Sequence, residues 1–211
     1  MSHTLTRKPL NTYHHGDLRD ALIKAALQEA ERNGPEAISI KALAKKLGVS
    51  QPAPYRHFAD REALLVAVTA EAFRQFSAEL RAAIEKPSRR SKLSRFARAT
   101  LEFGLRRNGI YRLLFTSRIA KGRELHMAAM EAFELLVEAL EAPAVGLIRE
   151  RHALKIWASL HGVIMLAEQG LLTGEPAGTT REELVEDIVA ETKLALSAAI
   201  EIARRNGSPT R

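Results

Sequence analysis

Between Gly48 and Phe58 the chain reads GVSQPAPYRHF, and five side chains in this stretch can hydrogen bond: Ser50, Gln51, Tyr55, Arg56 and His57. Hydroxyl, phenol and imidazole groups can donate to phosphate oxygens, and Arg56 can hold a phosphate or read guanine. Other chemistry has no support in the residues. The chain has no cysteine, so disulfides, thiolate nucleophiles and thiolate-bound metals are excluded. Its seven histidines include no HxxxH or HExxH pair. No serine or aspartate lies in a nucleophile motif and no glycine-rich phosphate loop occurs. The chain therefore reads as a non-enzyme needing neither cofactor nor metal.

Donors in such a short stretch need a scaffold to aim them. Upstream, Ser39 can cap a short helix, IKALAKKL, that buries Ile40, Leu43, Ala44 and Leu47. Gly48 permits the positive φ of a sharp exit, and Val49 can fill the space between two helices. Downstream, Asp60 can cap a long helix with Leu64, Leu65, Val68, Ala72, Phe76 and Leu80 on its apolar stripe. Between them a second short helix must start at the prolines, because only a first helical turn tolerates them. With Gln51 as cap, Pro52 is N1, Pro54 is N3, and no helical bond is lost. With Ser50 as cap, Pro54 falls at N4 and one bond is lost. Tyr55 or His57 alone could simply pack between helices. Together with Gly48, Ser50 and two flanking helices they describe a helix-turn-helix, whose second helix enters a DNA major groove.

The whole chain agrees with that expectation. A formal net charge of +7 over 211 residues suits a polyanionic partner. Apolar residues make up 46% and aromatic residues 5%, and alanine and leucine abound, which favours helix over sheet. The periodicity predicts an all-α fold of about nine helices. The first starts at an Asp17 cap and ends at Gly34–Pro35. Later helices cover roughly 91–107, 109–119, 123–141, 149–172 and 180–205. Residues 1–16 read as a flexible basic arm, 17–60 as the DNA-binding unit and 61–211 as a larger helical unit. The N-terminus has no apolar signal region, and the apolar run 156–167 is too short to span a bilayer. No membrane partner and a cytoplasmic location are expected.

The stretch ISIKALAKKLGVSQPAPYRHFADREALLVAV, Ile38 to Val68, resembles the DNA-binding region of the TetR/AcrR family of transcriptional repressors, over about residues 16–68. The resemblance implies a homodimer on a palindromic double-stranded DNA operator, released by a small-molecule effector. Matched position by position, it implies base contacts from Lys41 and Gln51, and methyl contacts from Pro52 and Ala53. It implies phosphate contacts from Tyr55 and His57, with Ser39 capping and reaching a phosphate. Arg61 stands where the family usually has lysine, and a phosphate role is expected to survive. Pro54 departs from the family's usual small or apolar residue, which puts ordinary helix geometry in question there. YHHGDLRDALI and WASLHGVIMLAEQGLL resemble a subgroup with a Trp–His–Gly signature, here Trp157, His161 and Gly162.

Trp157, His161, Ile164 and Glu168 share one helix face. His161 is either a polar anchor in an effector pocket or a satisfied buried histidine joining two helices. Gly162 is expected to admit a neighbouring helix. Phe103, Tyr111, Leu114 and Phe115 are the other candidate pocket residues, or else plain core. The last two helices carry broad apolar surface suited to a four-helix interface between subunits. From Arg81 to Arg123, thirteen lysines and arginines face only Glu85 and Glu102, a local excess of eleven. Most of that excess reads as solvated helix face, with an acidic effector as a minor alternative. The competing function is a constitutive or architectural DNA-binding protein without an inducer.

Overall fold

The computed structural model describes residues 15–116, 122–143, 147–172 and 178–206. Among these, eight α-helices and two 3-10 turns form an all-helical fold without strands. In chain order the helices are α1 (His15–Asn33), α2 (Ile40–Lys46), α3 (Arg61–Glu85), α4 (Lys92–Arg106), α5 (Asn108–Thr116), α6 (Arg123–Ala139), α7 (Ile148–Glu168) and α8 (Arg181–Arg205). The 3-10 turns are Pro35–Ala37 and Pro54–Arg56.

Most ends follow local chemistry. Gly34 leaves α1 at φ 83°, with its N–H on the Ala30 carbonyl at 2.9 Å, and buried Pro35 opens the next turn. Asp60 caps α3 by accepting from the Ala63 N–H at 2.8 Å. Thr180 and Glu183 form a reciprocal capping box on α8. Asp17 does not cap α1, because the helix already runs from His15. Ser39 occupies the N-cap position of α2, but its side chain makes no capping bond. The expected helix across 52–58 is absent as an α-helix, and its place is taken by the Pro54–Arg56 turn.

One continuous buried cluster runs from Leu18 to Ile200. The long helix α3 is shared by both ends of the molecule, packing on α1 and on α4, α5 and α6. Two glycines mark the closest helix approaches. A Cβ on Gly104 of α4 would sit 2.8 Å from the Ile164 side chain of α7, and one on Gly109 of α5 only 1.9 Å from the Ala30 carbonyl of α1. Gly162 plays no such part, since nothing lies within 4 Å of a Cβ placed there.

The basic run is not simply a solvated face. Arg81 pairs with Glu131, Lys92 with Glu138, Arg98 with Glu186, Arg106 with Glu79, and Arg112 with Glu36. Part of its charge is met by carboxylates on other elements, a pattern invisible to a local count. Arg118 and Lys121 lie outside the described residues.

Candidate nucleic-acid interface

The exit from α2 is built as the residue types demand. Gly48 takes φ 68°, its N–H reaches the Lys45 carbonyl at 3.2 Å, and the Val49 N–H reaches the Ala44 carbonyl at 3.1 Å. Val49 then packs, half-buried, against the core.

Residues 50–57 are closed by successive i to i−3 bonds. Ala53 N–H donates to Ser50 C=O at 3.0 Å, Tyr55 to Pro52 at 3.2 Å, Arg56 to Ala53 at 3.3 Å and His57 to Pro54 at 3.0 Å. The prolines explain the choice. Residues 52 and 54 have no N–H, so α-type bonds to Gly48 and Ser50 cannot form. The donors that remain close i to i−3 turns, and the Phe58 N–H closes one α-type turn on the same Pro54 carbonyl at 3.0 Å. Pro54 is the first residue of the 3-10 turn and is buried, so neither expected placement of the cap at Ser50 or Gln51 holds. Buried Pro54 and Phe58 anchor the segment, while Tyr55, 54% exposed, and Arg56 face solvent. His57 is half-buried, and Ser50, Gln51 and Pro52 are exposed.

Ser39, Lys41 and Gln51 line one shallow open cleft with Ala42, Lys45 and Val49. The turn thus brings a side chain from 50–58 beside the exposed edge of α2. Lys45 is the residue that reading the sequence passed over. It stands one helical turn after Lys41, and that i, i+4 spacing was the available signal. Arg61 has a role the phosphate expectation omitted. Its Nε donates to the Ile38 carbonyl at 2.8 Å and one Nη to the Pro35 and Glu36 carbonyls at 3.4 Å. It thereby fastens the start of α3 to the segment leading into α2. Arg19 of α1 lies over the Phe58 ring at 5.7 Å, clamping the far end of the turn.

At the other end of the molecule the candidate pocket residues separate into three groups. Tyr111, Phe115 and His161 meet: the Tyr111 hydroxyl and His161 Nδ1 are 3.2 Å apart, and the Phe115 and His161 rings are 3.9 Å apart between centroids. Burial pushes the Tyr111 phenol well above its ordinary range and holds the His161 imidazole below its own. Phe103, Leu114 and Ile164 are buried core residues, Phe103 lying against Phe76 with centroids 5.0 Å apart. Trp157 turns elsewhere and stacks on Phe133 of α6 at 5.7 Å. Phe103, Leu114 and Ile164 are thus packed inside the helical domain.

Comparison with known proteins agrees at both ends. Residues 22–68 match the bacterial regulatory proteins of the tetR family, and residues 93–192 match the tetracyclin repressor-like C-terminal domain. The Escherichia coli tetracycline repressor protein class C is 46% identical over 50 residues, covering 24% of this chain and 23% of that repressor. The chain therefore aligns with under a quarter of that relative's length. A structure from Rhodococcus sp. RHA1, described as a protein with unknown function, superposes with a TM-score of 0.70 at 28% identity, covering 90% of this chain and 98% of that one. A TetR transcriptional regulator from the same organism shares the fold, with a TM-score of 0.62 at 16% identity over 87% of this chain and 98% of its own. With a helix-turn-helix at one end and a repressor-like helical domain at the other, the chain belongs to the TetR family of transcriptional regulators.

Proposed function

We propose that the protein is a homodimeric repressor that binds a palindromic DNA operator and is released by a small-molecule effector. The observation that carries this reading is the convergence of Ser39, Lys41, Lys45 and Gln51 on one exposed cleft beside the Tyr55–His57 turn. Lys41 and Gln51 are assigned to base edges, with methyl contacts from Pro52 and Ala53. Ser39, Tyr55 and His57 are assigned to phosphates. Arg56 and Ser50, both exposed, complete the polar rim. The Trp157, His161 and Gly162 pattern supports placement in the Trp–His–Gly subgroup.

Effector release needs the two ends to be coupled, and α5 supplies a physical link. Tyr111 and Phe115 meet His161. On the same helix, Gly109 abuts Ala30 and Arg112 pairs with Glu36 at 2.7 Å. A ligand that moved α5 would move the DNA-binding unit. The close packing of Phe103, Leu114 and Ile164 favours the second reading, a constitutive DNA-binding protein. Selection of bound duplexes from a random pool tests the primary reading, and failure to enrich any palindrome overturns it. A ligand screen on the bound complex separates the two readings, because only the repressor is released.

A further inference from the structure

The start of α6 lies against the helices of the DNA-binding end. At Gly122, its N-cap, an added Cβ would lie 3.0 Å from the Val66 side chain of α3. Two residues on, Glu124 reaches arginines of two different helices. Its Oε2 accepts from Arg19 of α1 at 3.4 Å, and its Oε1 accepts from Arg74 of α3. Each carboxylate oxygen thus serves one guanidinium, and α6 is tied to α1 across 105 positions of sequence.

Of the two partners, Arg19 leads to the recognition segment. Its guanidinium lies over the Phe58 ring, 5.7 Å from the centroid. Phe58 is buried, and its N–H closes on the Pro54 carbonyl at 3.0 Å, so it ends the turn that carries Tyr55, Arg56 and His57. Short 3-10 turns have poorer hydrogen-bond geometry than an α-helix, so contacts at their ends matter more to their order. Arg74 also pairs with Glu71 on its own helix. Arg19 also lies 3.8 Å from Asp20, again on its own helix, so its tie to α6 comes from Glu124.

We infer that Glu124 is a positioning residue for the recognition turn, holding Arg19 over Phe58 and thereby fixing the end of the segment that presents Tyr55, Arg56 and His57. The rival role is local: an acid in the first turn of α6 favours that helix wherever its side chain points. The two roles differ in where a loss of order appears. The positioning itself needs only the free chain. Its consequence for DNA rests on the repressor reading above.

Hydrogen–deuterium exchange of the free full chain, read by mass spectrometry, separates the two roles. Glu124→Gln should speed exchange in residues 50–58 about threefold, the size expected of one exposed ion pair, while residues 64–73 of α3 exchange as in the parent. Arg19→Met should do the same, and the double variant should go no further than Arg19→Met alone. Glu131→Gln is the control, because it removes the same charge from the same helix, where Glu131 pairs with Arg81 at 2.9 Å. It should leave 50–58 unchanged. Unchanged exchange at 50–58 in Glu124→Gln, an equal rise at 64–73, or a matching rise in Glu131→Gln would each overturn the positioning role. Binding to the duplex enriched from a random pool is measured in parallel by fluorescence anisotropy, and Glu124→Gln should weaken it about threefold. A lost negative charge acting only through the long-range field would instead tighten binding, and tightening overturns the proposal. If no duplex is enriched, the repressor reading falls, and exchange at 50–58 still decides the role of Glu124.

Discussion

At the scale of single residues, the proposed roles of His57 on phosphate and Gln51 on a base edge lead to opposite behaviour when each side chain is removed. The helix-turn-helix that holds Ser39, Lys41, Gln51, Tyr55 and His57 was legible because its punctuation is local, whereas the roles of Lys41 and Gln51 came only from the family resemblance. Lys45 was missed because a lysine late in a short helix looks like ordinary solvated charge until the fold sets it in the cleft beside Gln51. Arg61 was assigned only to phosphate because its carbonyl partners, Pro35, Glu36 and Ile38, lie more than twenty residues away. Two substitutions separate the proposed roles. His57→Ala should weaken binding to every duplex and lower the salt slope by about one phosphate contact. Gln51→Ala should instead change the preferred sequence at one position, by about 1–3 kcal/mol. Binding titrations at several salt concentrations, on operator and random duplexes, check both. His161 adds a pH signature. Its folded pKa lies below the unfolded value because burial penalises the imidazolium. Below about pH 6.5 the unfolded chain therefore binds protons that the folded chain does not, and stability falls as pH falls through that window. His161→Phe should remove this part of the acid sensitivity, measured as the difference in melting temperature between pH 7.5 and pH 5.5.

At the scale of elements, helix starts and stops were largely legible because they depend on nearby residues. Asp60, Gly34 and Gly48 perform the parts their types suggested. Tertiary contact decided the rest. The prolines of 52–58 signalled a helix start, but the segment closes in i to i−3 turns with a single α-type bond, from Phe58 to Pro54. Gly162 promised a close helix contact that Gly104 and Gly109 make instead, and no local pattern distinguishes the three. Gly109 gives the sharpest test of an element contact. An added methyl would need to occupy a position 1.9 Å from the Ala30 carbonyl, which belongs to backbone and cannot rotate away. Gly109→Ala should therefore separate α5 from α1 and cost about 3 kcal/mol, at the upper end for overpacking. Gly104→Ala meets only the Ile164 side chain and should cost less, with Ile164→Val restoring part of the loss. Chemical denaturation of the three variants checks the ranking.

At the scale of the whole molecule, the question is what covers α7 and α8. Their inward faces are accounted for: Ile156, Leu160, Val163 and Ile164 of α7, and Val185, Val189, Leu196 and Ile200 of α8, are buried in the chain's own core. Apolar residues remain on the outward faces. Leu154 and Leu166 are 60% and 43% exposed, and Leu194 and Ile202 are 73% and 59% exposed. Leu154, Ala158, Gly162 and Leu166 recur at intervals of four along α7, and Leu194, Ala198 and Ile202 do the same along α8, so each set forms a stripe. Gly162, open in the single chain, falls within the first stripe, where a second helix could approach closely. Two such stripes on neighbouring helices suit the two-fold contact that the proposed homodimer on a palindromic operator would need. Leu194→Glu places a charge on this face without touching the core. It should convert a dimer of twice 23.3 kDa into a monomer, read by sedimentation equilibrium. Each recognition unit would remain folded, so the variant should keep weak, salt-sensitive binding to half-sites and lose tight binding to the full palindrome. A variant that sediments as the parent does, or that binds the palindrome undiminished as a monomer, would place the subunit contact elsewhere.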